Sequence, residues 1–82
     1  MSSGSTGSGP ELSAADHRIV RYLADTNVEY PALIASHTGL HVPLVERRCR
    51  LLVGAGLLEP VSGEVLYRLT DRGRSLARRL RR

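Results

Sequence analysis

Apolar residues recur three and four positions apart along residues 12–25, which predicts an amphipathic helix with one buried face. Ser13 stands where it can cap this helix, and Asp16 lies in the first turn, where a carboxylate complements the helix dipole. The periodicity stops at Thr26 and Asn27. The residues predicted to form the buried stripe are Leu12, Ala15, Ile19, Tyr22 and Leu23.

The next segment predicts two further helices joined by a sharp turn. Residues 28–30 are long enough only for a short strand, and a proline at the start of residues 31–37 suits the first turn of a helix. Gly39 suits the left-handed conformation that ends a helix, and a third helix follows over residues 42–55, with Gly56 as its cap. The inner surface of the shorter helix is assigned to Ala32, Leu33, Ile34 and Ala35.

Two strand-like segments predict a β-hairpin near the C-terminal end. Residues 57–61 and 64–69 are rich in β-formers, and Ser62 and Gly63 between them are typical of a two-residue hairpin turn. Pro60 cannot donate to a neighbouring strand, so the first of these strands is predicted to lie at an edge of the sheet.

A last helix over residues 71–80 completes the predicted architecture, with Thr70 as its cap. The fold class is mainly α with a small β-hairpin (α+β), in the order α-β-α-α-β-β-α. Residues 1–11 are Gly/Ser-rich and predict a disordered leader, and residues 12–82 predict one domain. The buried face of the last helix is assigned to Gly73, Leu76, Ala77 and Leu80.

The charge balance favours a polyanionic partner. All twelve basic residues are arginine, the formal net charge is +4 and the isoelectric point is about 10.2. Arginine binds phosphate and guanine through two parallel hydrogen bonds, so nucleic acid is the simplest partner, and solubility alone is the alternative. One cysteine cannot form an internal disulfide, and no apolar run or hydrophobic signal core points to a membrane or to export. A cytoplasmic location is predicted.

Two segments resemble a known family of DNA-binding domains. "LIASHTGLHVPLVERRCRLLVGAGLLEPV" and "YRLTDRGRSL" are similar to the winged helix-turn-helix of bacterial and archaeal regulators, over roughly residues 13–80. Among these, the chain most resembles small archaeal regulators similar to the repressor of the haloarchaeal virus phiH. The resemblance implies a winged helix-turn-helix DNA-binding domain that acts as a transcriptional regulator, with repression as the expected mode.

Helical phase divides the third helix into an inner and an outer face. With 100° per residue and Val45 at the centre of the core face, Cys49 and Leu52 lie within about 80° of it, whereas Arg47 and Arg50 lie on the opposite side. Cys49 is therefore predicted to fill the core, where burial raises the pKa of a thiol; a redox or alkylation sensor is the alternative.

The outer face of this helix predicts contacts in the major groove. Arg47 suits a bidentate contact with guanine, Glu46 could accept from a cytosine amine, and Arg50 suits a phosphate. The alternative is a solvated face with a Glu46–Arg50 pair four residues apart. The full set of predicted DNA-binding residues is His41, Val42, Pro43, Glu46, Arg47, Arg50 and Arg68.

The predicted hairpin over residues 57–69, which is the wing of this fold, is expected to contribute fewer DNA contacts than the third helix. Its only cation is Arg68, and Glu59 and Glu64 on either side of the turn would repel phosphates. The C-terminal arginines are interpreted as a solubilising helix face, with a second phosphate patch as the alternative; they are Arg72, Arg74, Arg78, Arg79, Arg81 and Arg82.

Other classes of function find little support in the sequence. A metal site would need His37, His41 and Cys49, which do not converge on the predicted helices, and neither a cofactor nor a small-molecule ligand is indicated. An enzyme is not expected, because no nucleophile–base pair, phosphate loop or carboxylate pair stands at useful spacing. The predicted function is sequence-specific binding of double-stranded DNA as a homodimer, since two half-sites double the few contacts of so small a domain. The alternative is a winged helix that binds proteins.

Overall fold

The computed structural model describes residues 12–61, 63 and 65–80, and the predicted leader, residues 1–11, lies outside them. The order of elements is the predicted one. The elements are α1 (Ala14–Thr26), β1 (Val28–Glu29), α2 (Pro31–Thr38), α3 (Val42–Gly54), β2 (Leu58–Pro60), β3 (Tyr67–Leu69) and α4 (Asp71–Leu80). Within the described residues, no helix is long and apolar enough to cross a bilayer.

The three short strands form one antiparallel sheet in the order β1-β3-β2. Val28 of β1 lies opposite Arg68 of β3, and Leu58 of β2 lies opposite Leu69. The short strand before α2 is thus the third member of the sheet. Pro60 lies on an edge strand, as predicted, where its missing N–H costs no ladder hydrogen bond.

The predicted two-residue turn at Ser62 and Gly63 is wrong. It would place Pro60 opposite Val65, whereas Pro60 lies opposite Tyr67, so that residues 61–66 connect the strands. The two registers differ by two residues, and both keep the same side chains on the buried face. Hydrophobic alternation therefore cannot distinguish them.

The core lies where α1, α2, α3 and the sheet meet. The assignment of Ala32 and Leu33 to the inner surface of α2 is wrong: Ala32 is exposed and Leu33 is 43% exposed. A helix as short as α2 buries one side only, and Pro31, Ile34 and Ala35 occupy that side. The buried apolar core residues are Ile19, Val20, Leu23, Ile34, Ala35, Val45, Cys49, Leu52, Leu57, Leu58, Leu69 and Ala77.

Helix α4 packs against α1 and β3. The Thr70 hydroxyl caps it by accepting from the Gly73 N–H (3.1 Å), as predicted, and it donates to the Gly56 carbonyl (2.6 Å). Gly73 and Ala77 are buried on the predicted face, while Leu76 and Leu80 are only partly buried. The threonine thereby ties the end of α3 to the start of α4.

Candidate nucleic-acid interface

The turn between α2 and α3 sets the direction of the candidate recognition helix. Gly39 ends α2 in the predicted left-handed conformation (φ +76°), and its N–H donates to the Ala35 carbonyl at 3.0 Å. The Arg18 guanidinium donates to the Thr38 carbonyl (3.3 Å), so α1 also holds the end of α2. His41 is the N-cap residue of α3, and its side chain makes no capping hydrogen bond within the described residues.

Helix α3 has the predicted phase. Val45, Cys49 and Leu52 are buried against the core. Arg47 and Arg50 point to solvent, and within the described part of the chain neither forms an ion pair, with Glu46 or with another carboxylate. Between positions 41 and 50, the residues that the structure leaves exposed are His41, Val42, Pro43, Glu46, Arg47 and Arg50, and they are called the exposed row.

Arg48 is not part of that outer row. Its Nε donates to Asp16 Oδ1 (2.8 Å) and its Nη2 donates to Asp16 Oδ2 (2.7 Å), which forms a bidentate ion pair between α3 and α1. The Asp16 carboxylate is fully buried, and it also accepts from the Ser13 N–H at 2.9 Å. The sequence predicted only that Asp16 complements the dipole of the first helix, and the pair with Arg48 was missed because the two residues are 32 positions apart.

The Asp16 carboxyl is ionised at neutral pH despite its burial. Burial alone would raise its pKa, but the hydrogen bonds from Arg48 and Ser13 and the charge of Arg48 outweigh burial and lower the pKa below its usual value. The pair is therefore a charged one, shielded from water on the side of the carboxylate.

Cys49 lies next to these cations and is not activated by them. Its side chain is fully buried, and burial raises the pKa of the thiol to about 12, with the negative charge of Asp16 adding to the shift and Arg50 opposing it. The predicted core role is confirmed. A thiolate, the form that reacts, is scarce at neutral pH.

We expect Cys49 to react with iodoacetamide at pH 8 about a thousandfold more slowly in the native protein than in the urea-unfolded chain, because both the thiolate fraction and access are reduced. The rates are measured by mass spectrometry, with the unfolded chain as the control. Comparable rates in the two states would show that the thiol is accessible and ionised, contrary to its placement in the core.

The wing presents its one cation in an ion pair. Arg68 Nε donates to Glu59 Oε2 at 2.7 Å, across the β2–β3 register, and the two side chains are 49% and 45% exposed. A phosphate that approached Arg68 would therefore compete with Glu59. Ser62 and Glu64 at the tip lie outside the described residues.

The remaining arginines and histidines lie elsewhere. Arg72, Arg74, Arg78 and Arg79 are exposed on α4, and Arg81 and Arg82 lie outside the described residues. His37 stacks on Tyr22 (ring centroids 5.2 Å apart), and its Nδ1 lies 2.9 Å from the Leu33 carbonyl oxygen. Among the described residues, no three His, Cys, Asp or Glu side chains come together as metal ligands would.

This arrangement of helices and sheet occurs in known proteins. A family model described as "Uncharacterized protein conserved in archaea (DUF2250)" matches residues 11–76. The chain belongs to the DUF2250 family. Comparison of this DUF2250 chain with curated protein sequences gave no match.

Solved structures show the same fold. A MarR family transcriptional regulator from Silicibacter pomeroyi DSS-3 superposes with a TM-score of 0.79 and 28% identity, over 84% of the DUF2250 chain and 51% of the regulator. A MarR family protein of Mycobacterium tuberculosis gives 0.77 and 27%, over 85% and 52%. The chain thus spans about half the length of these structures. The predicted winged helix-turn-helix fold is confirmed; both structures are of MarR family proteins, and the first is described as a transcriptional regulator.

Proposed function

We propose that this DUF2250 chain is a sequence-specific, double-stranded DNA-binding transcriptional regulator that places α3 in the major groove. The observation that carries the proposal is the exposed row of α3, in which Arg47 and Arg50 have no ion-pair partner within the described residues. An unpaired guanidinium on a helix that fits the groove is available to bases and phosphates. The likeness to MarR family regulators supports the same function.

Each residue of the exposed row has a role that its chemistry suggests. Arg47 donates to the O6 and N7 atoms of a guanine, and Glu46 accepts from a cytosine amine. Val42 and Pro43 contact a thymine methyl group, and Arg50 reaches a phosphate. His41, at the start of the helix, also lies within reach of a phosphate in this arrangement.

The wing has a secondary part in the proposal. Arg68 contacts the DNA backbone. Its guanidinium must then leave Glu59, or bind Glu59 and a phosphate at the same time. Both side chains are about half exposed, so the ion pair contributes little to stability and can rearrange.

We further propose that two copies bind a pseudo-palindromic site and act as a repressor in the cytoplasm. A single small module buries about 600–1,000 Å² on DNA, at the lower end for a specific complex, and a second half-site doubles the contacts. The resemblance to the small archaeal regulators similar to the phiH repressor favours repression over activation.

Arg47→Ala is expected to weaken binding to the preferred duplex by about 1–3 kcal/mol and to relax base preference at one position, because a bidentate guanine contact is lost. The preferred sequence is first selected from a random duplex library. Fluorescence anisotropy then measures affinity for that duplex and for a scrambled one. Wild-type affinity should also fall steeply between about 50 and 200 mM salt, as phosphate contacts release counterions.

Arg78→Ala is the matched control, since it removes the same charge from an exposed position on α4. It should leave base preference unchanged. If wild-type protein binds selected and scrambled duplexes equally, and Arg47→Ala behaves as Arg78→Ala does, the regulator proposal fails. A winged helix that binds proteins is then the better description.

A further inference from the structure

We propose that the Asp16–Arg48 ion pair is a positioning pair: it fixes the rotation of α3 about its own axis and so sets which bases Arg47 reaches, without touching DNA. The inference rests on the proposed function, because it concerns how the same helix discriminates between bases. Asp16 thereby has a part in specificity, although it belongs to α1 and lies buried behind α3, away from the exposed row.

The other contacts of α3 with the core are not directional. The helix packs through Val45, Cys49 and Leu52, which keeps its inner face against the core, but a dispersion contact between carbon atoms has no preferred bond direction. Within the described residues, the only side-chain hydrogen bonds made by α3 are the two from Arg48 to Asp16. A pair of parallel N–H···O bonds in one plane fixes an orientation as well as a distance.

The carboxylate that receives Arg48 is itself held firmly. Asp16 and Ser13 form a reciprocal capping box: the Ser13 N–H donates to Asp16 Oδ2 (2.9 Å), and the Asp16 N–H donates to Ser13 Oγ (3.1 Å). Asp16 is therefore tied to the first turn of α1, a helix whose Ile19 and Leu23 are fully buried. Arg48 is thus oriented by the rigid start of α1 and not by a mobile surface group.

A small rotation of α3 has a large effect at its outer face. A turn of about 15° moves a side-chain tip about 6 Å from the helix axis by about 1.5 Å. The N···O distances of good hydrogen bonds vary over a range of only about 0.5 Å, so such a shift breaks a bidentate base contact. Arg47 directly precedes Arg48 on the helix, and any rotation that Arg48 prevents would move Arg47 by the same angle.

Stability by itself does not require this pair. Replacing a buried ion pair with apolar side chains of similar size is often neutral or stabilising. This allows positioning to be separated from folding: a variant without either charge can remain folded while it loses the directional contact.

The experiment compares wild type, the double variant Asp16→Leu/Arg48→Met and the single variant Arg48→Lys, with Arg50→Ala as a control for a lost phosphate contact. Circular dichroism and thermal unfolding establish which variants are folded. Anisotropy then gives the ratio of affinities for the selected and scrambled duplexes, and the slope of affinity against salt concentration.

In the folded double variant we expect this ratio to fall about tenfold or more, to the level of a lost base contact, with the salt slope unchanged. Arg50→Ala should have the opposite pattern: the salt slope falls by about one, and the ratio of affinities for the selected and scrambled duplexes stays the same. Arg48→Lys keeps the positive charge but cannot form the two parallel hydrogen bonds in one plane, so its ratio of affinities should fall by several-fold. Arg48→Lys is the deciding variant if the double variant does not fold.

A folded double variant, or a folded Arg48→Lys variant, with the wild-type ratio overturns the inference and leaves a purely structural pair. Wild-type protein without base preference overturns the proposed function and the inference together. A wild type that discriminates, with Arg47→Ala impaired and the folded pair variants unimpaired, overturns the inference alone.

Discussion

Asp16→Ala is expected to lower the free energy of unfolding by about 2–4 kcal/mol, because it removes a buried carboxylate that accepts two charge-assisted hydrogen bonds from Arg48. The substitution also removes the acceptor for the Ser13 N–H at the start of α1. Domains of this size have a total stability of roughly 4–12 kcal/mol, so this loss is a large share of the total. Urea unfolding followed by circular dichroism at pH 7 measures the change.

Asp71→Ala is the matched control, since Asp71 is also an acid in the first turn of a helix but is exposed. It should cost less than about 1 kcal/mol, the usual value of a helix-dipole interaction at the surface. Equal losses of unfolding free energy in the two variants would show that the Asp16–Arg48 pair contributes no more to stability than an exposed helix-dipole interaction.

The pH dependence of stability gives a second measure of the same pair. The folded pKa of Asp16 lies below its ordinary value of 3.8, so its contribution is complete above about pH 5 and is lost as the pH falls from there through the folded pKa. In this acid range, the free energy of unfolding should change less with pH in Asp16→Asn than in Asp71→Asn. Parallel curves for the two variants would show that Asp16 is not held in its ionised form.

Gly73→Ala is expected to destabilise the protein by about 3 kcal/mol, even though alanine is the better helix former. A Cβ atom at position 73 would collide with the carbonyl oxygen of Leu57 and press on the Leu69 side chain. The carbonyl is backbone and cannot turn aside, since it accepts the Thr70 N–H. Helix α4 would have to move away from the sheet, and thermal unfolding should show this as a large drop in midpoint.

Gly54→Ala is the matched control within the same protein. Gly54 is also a helical glycine, but a Cβ atom there meets nothing within 4 Å. This substitution should stabilise the protein by up to about 1 kcal/mol through helix propensity and reduced freedom of the unfolded chain. Gly73→Ala with stability equal to or above that of wild type would show that α4 does not approach the Leu57 backbone closely.

Much of the fold could be predicted because the signals are local. The hydroxyl of Ser13 caps the helix that directly follows it, and Gly39 adopts the left-handed conformation that its lack of a Cβ atom permits. The apolar positions of α3 recur with the helix period, which separates Val45 and Cys49 from Arg47 before any partner is known. The exposed row of the candidate interface follows from that phase alone.

The errors occurred where two local solutions are equally good. A hairpin register shifted by two residues keeps every side chain on its own face, and the choice depends on pairing along the whole of β2 and β3, including Glu59 opposite Arg68. In α2, four consecutive apolar residues cannot all face inward, and the packing of α1 and α3 around Ile34 decides that Leu33 is exposed.

Capping, turn conformation and helical phase act over a few neighbouring residues, so the elements, their order and the two faces of α3 follow from local sequence. The tertiary structure decided that Arg48 turns inward to Asp16, that β1 pairs with β3, and that Arg68 meets Glu59. These contacts join residues that are distant along the chain, and their energy depends on distances of a few ångström that exist only after the helices have packed. A helical phase shows which residues can face DNA, while a contact with another helix sets the angle at which they face it.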